Sequence, residues 1–279
     1  MAVRAARSQH RPRRLEPARR TVLAALDASP AARPVLETAR GLAEVADAAV
    51  EAVHVATTTP ETPQTLAARA GVPLRLLDGP VEQSLLHAIA APDVVAVVLG
   101  ARASPIGRHP TGRTARHVIE NARKPVVIVP ADVMPRRPFR RLLVPLEGTQ
   151  DTSRRVIEGL SRLIPGDVEL ELIVLHVFTA ATAPRFLDHP HRDLAMLGRE
   201  FIARHCPDAA RIEWRTGSIA DAVAELCEHQ AADLVVLSWA QDTSDGHAAV
   251  IREVLGHATI PVLLIPTPVP STLAGGVQQ

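Results

Sequence analysis

Between Gly100 and Gly112 the chain reads GARASPIGRHPTG, a loop that carries Arg102 and Arg108, is followed by Arg113 and Arg116, and meets no acid before Glu120. Guanidinium groups bind phosphate through paired N–H donors, and an uncompensated run of them makes an electropositive rim. Gly100 closes an apolar run without a side chain, which lets a ligand approach the backbone. Gly112 precedes a helical pattern, and the free N–H groups of a helix start hold anions. The chemistry these residues suit is phosphate binding. The comparable stretch later in the chain, SWAQDTSDGHAAV from Ser238 to Val250, has the opposite character. It carries Asp242 and Asp245, has no base before Arg252, and places Ser238 and Ala248 where the first stretch has Gly100 and Gly112. An anion there would meet carboxylates, and a Cβ where it needs backbone.

Other chemistries are less well supplied. The HxGH and SGGxDS strings with which adenylating enzymes hold a transition state do not occur. Nor do the P-loop GxxxxGKS/T, the dinucleotide-binding GxGxxG or the nucleophile elbow GxSxG. The chain is therefore expected to bind and not to catalyse, with slow ATP hydrolysis as the enzymatic reading left open. Of the twelve histidines, His189, His191 and His205 with Cys206 form the densest group, but no thiolate or carboxylate set completes four ligands at a recognised interval. His54 and His176 recur inside strand patterns and read as core histidines with satisfied rings. Trp214 and Trp239 stand at strand ends, where packing accounts for them. Cys206 and Cys227 fit no CxxC pattern and read as buried thiols in a reducing cytoplasm.

These residues need a scaffold, and composition narrows it. A chain of 279 residues exceeds most single cores, so two domains are expected. Its 47% hydrophobic content excludes wholesale disorder, and no apolar run approaches the ~18 residues of a membrane helix. With an aromatic share of only 2%, the core must be Val, Leu, Ile and Ala, which suits helices layered on parallel strands. The net charge of +1 is uneven: residues 1–20 hold seven arginines against Glu16, for +6, and the rest of the chain is −5. Such an arm buries nothing and is expected to be disordered. It reads as a solvated tail or over-long start, a weak polyanion contact or an organelle transit peptide. No folded basic reader accompanies it, so nucleic acid is not an expected partner.

The strongest signal is a repeat. VLAALDAS at Val22–Ser29 matches LLVPLEGT at Leu142–Thr149, and AVHVA at Ala52–Ala56 matches VLHVF at Val174–Phe178. DVVAVVLGA at Asp93–Ala101 matches DLVVLSWA at Asp233–Ala240, and NARKPVVIVP at Asn121–Pro130 matches HATIPVLLIP at His257–Pro266. The spacing is 120 residues from Val22 to Leu142, 122 from His54 to His176 and 138 from Gly100 to Ser238. The second copy therefore gains about sixteen residues after its second strand, enough for a full helix at Leu194–Arg204 where the first copy has a short one at Gln64–Ala70.

The apolar patterns predict strands over 21–27, 49–56, 73–78, 94–100 and 125–129 of the first copy, with helices over 31–46, 81–90 and 113–122. Ser29 and Pro30 are expected to open the first helix as cap and first-turn residues. Continuous runs such as VVAVVL imply strands buried on both faces, hence two tandem doubly wound parallel-sheet α/β domains. Residues 1–20 form the basic arm, 21–133 the first domain, 134–141 a Pro/Arg-rich linker, 142–267 the second domain and 268–279 a disordered tail. In an open α/β sheet ligands bind beyond the carboxyl ends of the strands, at Asp27, Ala28 and Ser29 and at Gly100–Gly112. The final strands, Val126–Val129 and Val262–Ile265, are short, apolar edges that need cover.

In these motifs both halves resemble universal stress protein domains, over Thr21–Pro266. The family pattern is carried by LDAS and LEGT at the end of the opening strand, DGPVEQSLL and TGSIADAVAEL at the third helix, ADLVVLS in the buried strand and KPVVIVP at the close. The resemblance implies a Rossmann-like fold of the adenine nucleotide alpha hydrolase type and a stress-response binding and signalling protein. Nucleotide-binding members carry Gly-x-x-Gly, nine residues, then Gly-Ser or Gly-Thr. The first copy keeps Gly100 and Gly112, has Ala103 for the second glycine and Arg113 for the hydroxyl residue, and shortens the loop by one; Thr114 offers a hydroxyl one place later. The resemblance then implies that Asp27 and Ala28 face the ribose or adenine, that Val55 lines the base, and that Gly100, Arg102, Ala103, Gly112, Arg113 and Thr114 face the phosphates. ATP or a related adenine nucleotide is the ligand implied, with Mg²⁺ accompanying it as the only metal. The second copy keeps only Glu147 and Val177. Two readings stay open for the first copy: it binds the nucleotide, or Gly100 and Gly112 serve strand-end and helix-entry geometry while Asp27 caps a helix, leaving a nucleotide-free scaffold that acts through protein partners. The family also commonly pairs across its last strand, which predicts intrachain contact between Val126–Val129 and Val262–Ile265, with homodimerisation of two chains as a further step.

Overall fold

The computed structural model describes residues 20–55, 61–101, 111–130, 133, 137–147, 150–166, 168–178, 190–207, 209, 211–240 and 247–267. The expected arm (1–19), the expected tail and the residues Arg102, Ala103, His189, Asp242 and Asp245 lie outside them. The first half runs β1 (Thr21–Ala25), α1 (Ala32–Ala46), β2 (Ala49–Val55), α2 (Glu61–Ala70), β3 (Leu74–Leu77), α3 (Val81–Ala90), β4 (Val94–Gly100), α4 (Arg113–Asn121) and β5 (Val126–Val129). The second runs β6 (Arg141–Pro145), α5 (Gln150–Leu163), β7 (Glu171–Phe178), α6 (Pro190–His205), β8 (Arg211–Thr216), α7 (Ile219–His229), β9 (Leu234–Trp239), α8 (His247–His257) and β10 (Val262–Pro266).

All ten strands form one sheet in the order β3-β2-β1-β4-β5-β10-β9-β6-β7-β8. Each half has the same internal order, read outward from β5 or β10. Every neighbouring pair is parallel except β5 and β10, which run antiparallel with Val127 opposite Leu263, Val126 opposite Leu264 and Ile128 opposite Val262. All four residues of β5, Val126–Val129, are buried, so neither final strand is an open edge.

Period-2 alternation sends successive strand residues to opposite faces. Leu23, Val97, Ile128, Leu143, Val235 and Leu264 belong to the core on one face, and Val22, Val98, Val127, Leu142, Val236 and Leu263 to the core on the other. Both cores therefore run without a break through the β5–β10 pair. The helices α3, α4, α7 and α8 cover the first face, and α1 and α5 the second.

Three local features depart from the sequence expectations. Ser29 does not cap α1 directly: its Oγ accepts the Ala31 N–H at 3.3 Å and its carbonyl the Ala32 N–H at 3.1 Å, and the helix begins two residues beyond Pro30. Asp27 draws Ser29 into a turn first, and the chain turns before it coils. Arg20, assigned to the arm, donates to the carbonyls of Arg162 at 3.0 Å and Leu163 at 2.6 Å, so a cation from the start of the first half caps the C-terminus of α5 in the second. Among the described residues of the expected linker, Arg137 and Phe139 pack against α1, and the last is already strand. Phe139 is 2% exposed, Arg137 bridges Glu37 and Glu44 of α1, and Arg141 already belongs to β6. Gly41 permits the approach, since a Cβ there would lie 3.2 Å from both Arg137 Cγ and Phe139 Cε1.

Candidate functional site

β1 lies between β2 and β4, so the crossover direction reverses at its carboxyl end and the loops after β1 and β4 part to leave a crevice. β1 stops because its last apolar residue is followed by a turn built on Asp27. The Asp27 Oδ1 accepts the Ser29 N–H at 3.0 Å and the Ser29 hydroxyl at 2.5 Å. Asp27 and Ala28 stay exposed above the sheet. The turn is tied down from the neighbouring strand: Leu26 N–H donates to the Val53 carbonyl at 2.9 Å, and the buried His54 ring donates from Nδ1 to the Leu26 carbonyl at 2.8 Å. The second half repeats the clamp, with His176 Nδ1 donating to the Leu146 carbonyl at 2.8 Å just before Glu147. The paired histidines thus hold the acid-bearing turn in place in both halves. Val55, next to His54, is 7% exposed at the end of β2.

Gly100 ends β4 opposite Val129. A Cβ at Gly100 would stand 3.1 Å from Ala31 Cβ and 3.5 Å from Val35 Cγ2, so the missing side chain lets α1 close over the strand end. Gly112 is the N-cap of α4 in an extended conformation, φ −63° and ψ 163°, and offers the helix no side-chain acceptor. Arg113 and Thr114 follow in the first turn. Asp27, Ala28, Val55 and Gly100 thus all stand at carboxyl ends of adjacent parallel strands, with Gly112, Arg113 and Thr114 at the start of the helix that follows β4.

One residue that the motif does not announce sits among them. Glu82, in the first turn of α3, places Oε1 3.2 Å from Arg113 Nε and 3.5 Å from Thr114 Oγ1, which donates to it. Its carboxyl is held below the ordinary range by its own backbone N–H first, and then by the nearby Arg113 and His117, against the opposing effect of burial. A lowered carboxyl stabilises the fold at pH above the ordinary value, and that contribution is lost as the pH falls through the lowered one. The sequence signal was an acid in the first turn of the helix after Gly79, a place where carboxylates favour the helix dipole.

The corresponding place in the second half is mostly apolar, with Glu147, Thr152 and Ser238 as its polar side chains. Leu175, Val177, Ile219, Leu237 and Ile251 line a cavity of about 60 Å³ with Glu147 at its rim. Beside this cavity Trp239 ends β9, and its indole Nε1–H donates to the Ile119 carbonyl of α4 at 2.7 Å, joining the halves. The longer second copy houses α6, whose Phe201 and His205 rings meet in a tilted contact with centroids 4.3 Å apart. Phe201 lies 5.0 Å from His176 and 5.5 Å from Trp214, which itself stacks on Phe178 at 5.1 Å. Burial first, then His176 and Arg204, lower the pKa of His205, whose Nδ1 lies 3.2 Å from the Ser153 hydroxyl. Cys206 and Cys227 are buried and not joined in a disulfide, and burial pushes the Cys227 thiol up to about 12. Among the described residues no group of three or more His, Cys, Asp or Glu is placed to hold a metal ion, and no helix is long and apolar enough to cross a membrane.

The family model of the universal stress protein family matches residues 63–130. No curated protein matches the sequence. Among solved structures, a functionally unknown protein from Pseudomonas aeruginosa PAO1 aligns over 89% of this chain and 93% of its own, at 13% identity and a TM-score of 0.64. A universal stress protein from Archaeoglobus fulgidus DSM 4304 aligns over 88% of this chain and 98% of its own, at 17% identity and a TM-score of 0.60. A putative universal stress protein from Pseudomonas aeruginosa UCBPP-PA14 aligns over 89% and 94%, at 15% identity and a TM-score of 0.60. At these identities the likeness concerns the fold. Residues 63–130 match the universal stress protein family, and the parallel α/β fold around them is the one that solved universal stress proteins adopt.

Proposed function

We propose that this chain is a tandem universal stress protein, a stress-response binding and signalling protein whose first half holds ATP or a related adenine nucleotide and whose second half holds none. The observation that carries the reading is the convergence of Asp27, Val55 and Gly100 at adjacent strand ends where the sheet order reverses, with Gly112 at the start of the next helix. The family match lends it support, because residues 63–130 include the whole Gly100–Gly112 loop. In this reading Asp27 and Ala28 face the ribose or adenine, Val55 lines the base, and Gly100, Arg102, Ala103, Gly112, Arg113 and Thr114 face the phosphates, with Mg²⁺ accompanying them. Ser238 and Ala248 where the first half has Gly100 and Gly112, with Asp242 and Asp245 between them, support a second half that holds no nucleotide. The β5–β10 pair is then a pseudo-twofold contact between two domains of one chain, and the place of action is the cytoplasm. The chain binds and signals; it does not turn over its ligand.

Glu82, whose carboxylate already engages Arg113 and Thr114, favours a second reading, a nucleotide-free scaffold. Calorimetric titration of ATP into the full chain separates the two. Heat of binding is expected with the wild type, and Gly112→Val is expected to weaken it by ~10-fold or more, because a branched side chain at the cap obstructs approach to the α4 N–H groups. No heat with the wild type would end the nucleotide reading. Inorganic phosphate release above the buffer rate would overturn the non-enzymatic assignment.

A further inference from the structure

The start of α4 already holds an anion of the protein's own. Glu82 Oε1 lies 3.2 Å from Arg113 Nε and 3.5 Å from the Thr114 hydroxyl, so one carboxylate oxygen engages the two side-chain donors nearest the Gly112 cap. Gly112 brings no side-chain acceptor, and the first turn of any helix has N–H groups that seek acceptors from outside. His117, farther along α4, adds to the positive field on the same carboxylate. A carboxylate in that place has the charge sign and the acceptor chemistry of a phosphate oxygen. The Glu82 side chain is 22% exposed and anchored on α3, whereas Arg113 is 83% exposed, so the arginine is the partner free to turn away.

We propose that Glu82 is a built-in competitor for the phosphate site: its carboxylate occupies Arg113 and Thr114 in the unliganded protein, and an incoming phosphate must take those donors from it. The inference rests on the nucleotide reading of the first half. Its consequence is selectivity by charge. A polyphosphate tail offers several oxygens and more than one negative charge against a single carboxylate, and wins the donors. A nucleoside without phosphate makes no claim on them and is indifferent to Glu82. An exposed ion pair is a weak lock, so the competitor sets a threshold and does not close the site.

The test is a set of titrations of ATP and adenosine into the full chain carrying Glu82→Gln, Glu82→Ala, Arg113→Ala or Arg113→Ala combined with Glu82→Ala. Thermal unfolding confirms that each variant is folded. Glu82→Ala is expected to bind ATP ~3- to 10-fold tighter than the wild type and adenosine unchanged. Glu82→Gln is expected to show part of the gain, since its amide oxygen still accepts but carries no charge. In the Arg113→Ala background the gain is expected to fall below ~2-fold, because the donor over which the two anions compete is gone. A wild type that binds ATP while Glu82→Ala binds no tighter overturns the competitor and leaves the nucleotide reading standing. A gain undiminished without Arg113 overturns it as well. Absence of ATP binding in every variant overturns the nucleotide reading and this inference together.

Discussion

Replacing Trp239 with alanine is expected to lower the free energy of unfolding by ~3–5 kcal/mol, the usual cost of truncating a large buried aromatic. Trp239 is 5% exposed, and its indole N–H serves the carbonyl of Ile119 in the other half. α4 ends at Asn121, so Ile119 contributes one of the last four carbonyls, which a helix cannot satisfy from within. Trp239→Phe keeps most of the apolar bulk and strands that carbonyl, so it is expected to cost only ~1–2 kcal/mol. Urea denaturation of the three proteins, followed by circular dichroism, reads both values. The halves have different residues at this place, since Ala101 follows Gly100 where Trp239 follows Ser238. The hydrogen bond across the pair therefore comes from the second half, and a Trp239→Ala cost below ~1 kcal/mol would remove it from any account of how the halves are held together.

Phe139→Ala is expected to cost a similar ~3–5 kcal/mol. This phenylalanine is the apolar anchor of the segment joining the halves; it is 2% exposed and meets α1 at Gly41. Arg137 beside it bridges Glu37 at 2.8 Å and Glu44 at 3.0 Å. Such partly exposed pairs return only ~0–1 kcal/mol, so Arg137→Ala is expected to be mild and the two costs to differ clearly. Equal costs from the same denaturation experiment would transfer the anchoring role from the ring to the ion pairs.

The inner strands were readable because each is a short apolar run with a hard stop, unlike β3 (LRLL) and β8 (RIEWRT) at the two edges. VVAVVLG ends at Gly100, and the final strands end at Pro130 and Pro266. Burial of the inner strands on both faces leaves no period-2 alternation to misread, and the repeat supplied a second copy against which to check the first, second, fourth and fifth strands. The extra helix of the second half followed from spacing alone and extends a few residues beyond the expected 194–204, to Pro190–His205. Local chemistry was harder to read than pattern. Ser29 has the residue type of a cap, yet Asp27 engages it first; only the distances show which partner wins. Proline and arginine at 134–141 mark a linker between the halves, and a single phenylalanine in that string packs it. Glu82 escaped because its role depends on α3 and α4 lying side by side, a tertiary fact with no spacing signature. Asp27 and Gly100 were found through the rule that ligands bind beyond the strand ends of an open α/β sheet, whereas Val55 came only with the family resemblance; the observed order, with β1 between β2 and β4, stands all three at adjacent strand ends.

In the function proposed above, the first half, and not the second, holds an adenine nucleotide. Photolabelling the full chain with 8-azido-ATP, followed by peptide mapping, asks this directly, because the azide reports the residues beside the base. The expected result is labelling of first-half peptides containing the Asp27 turn or the end of β2 near Val55, suppressed by excess ATP. Labelling confined to the Glu147 turn or to β7 around Val177, or labelling that excess ATP leaves unchanged, would contradict it.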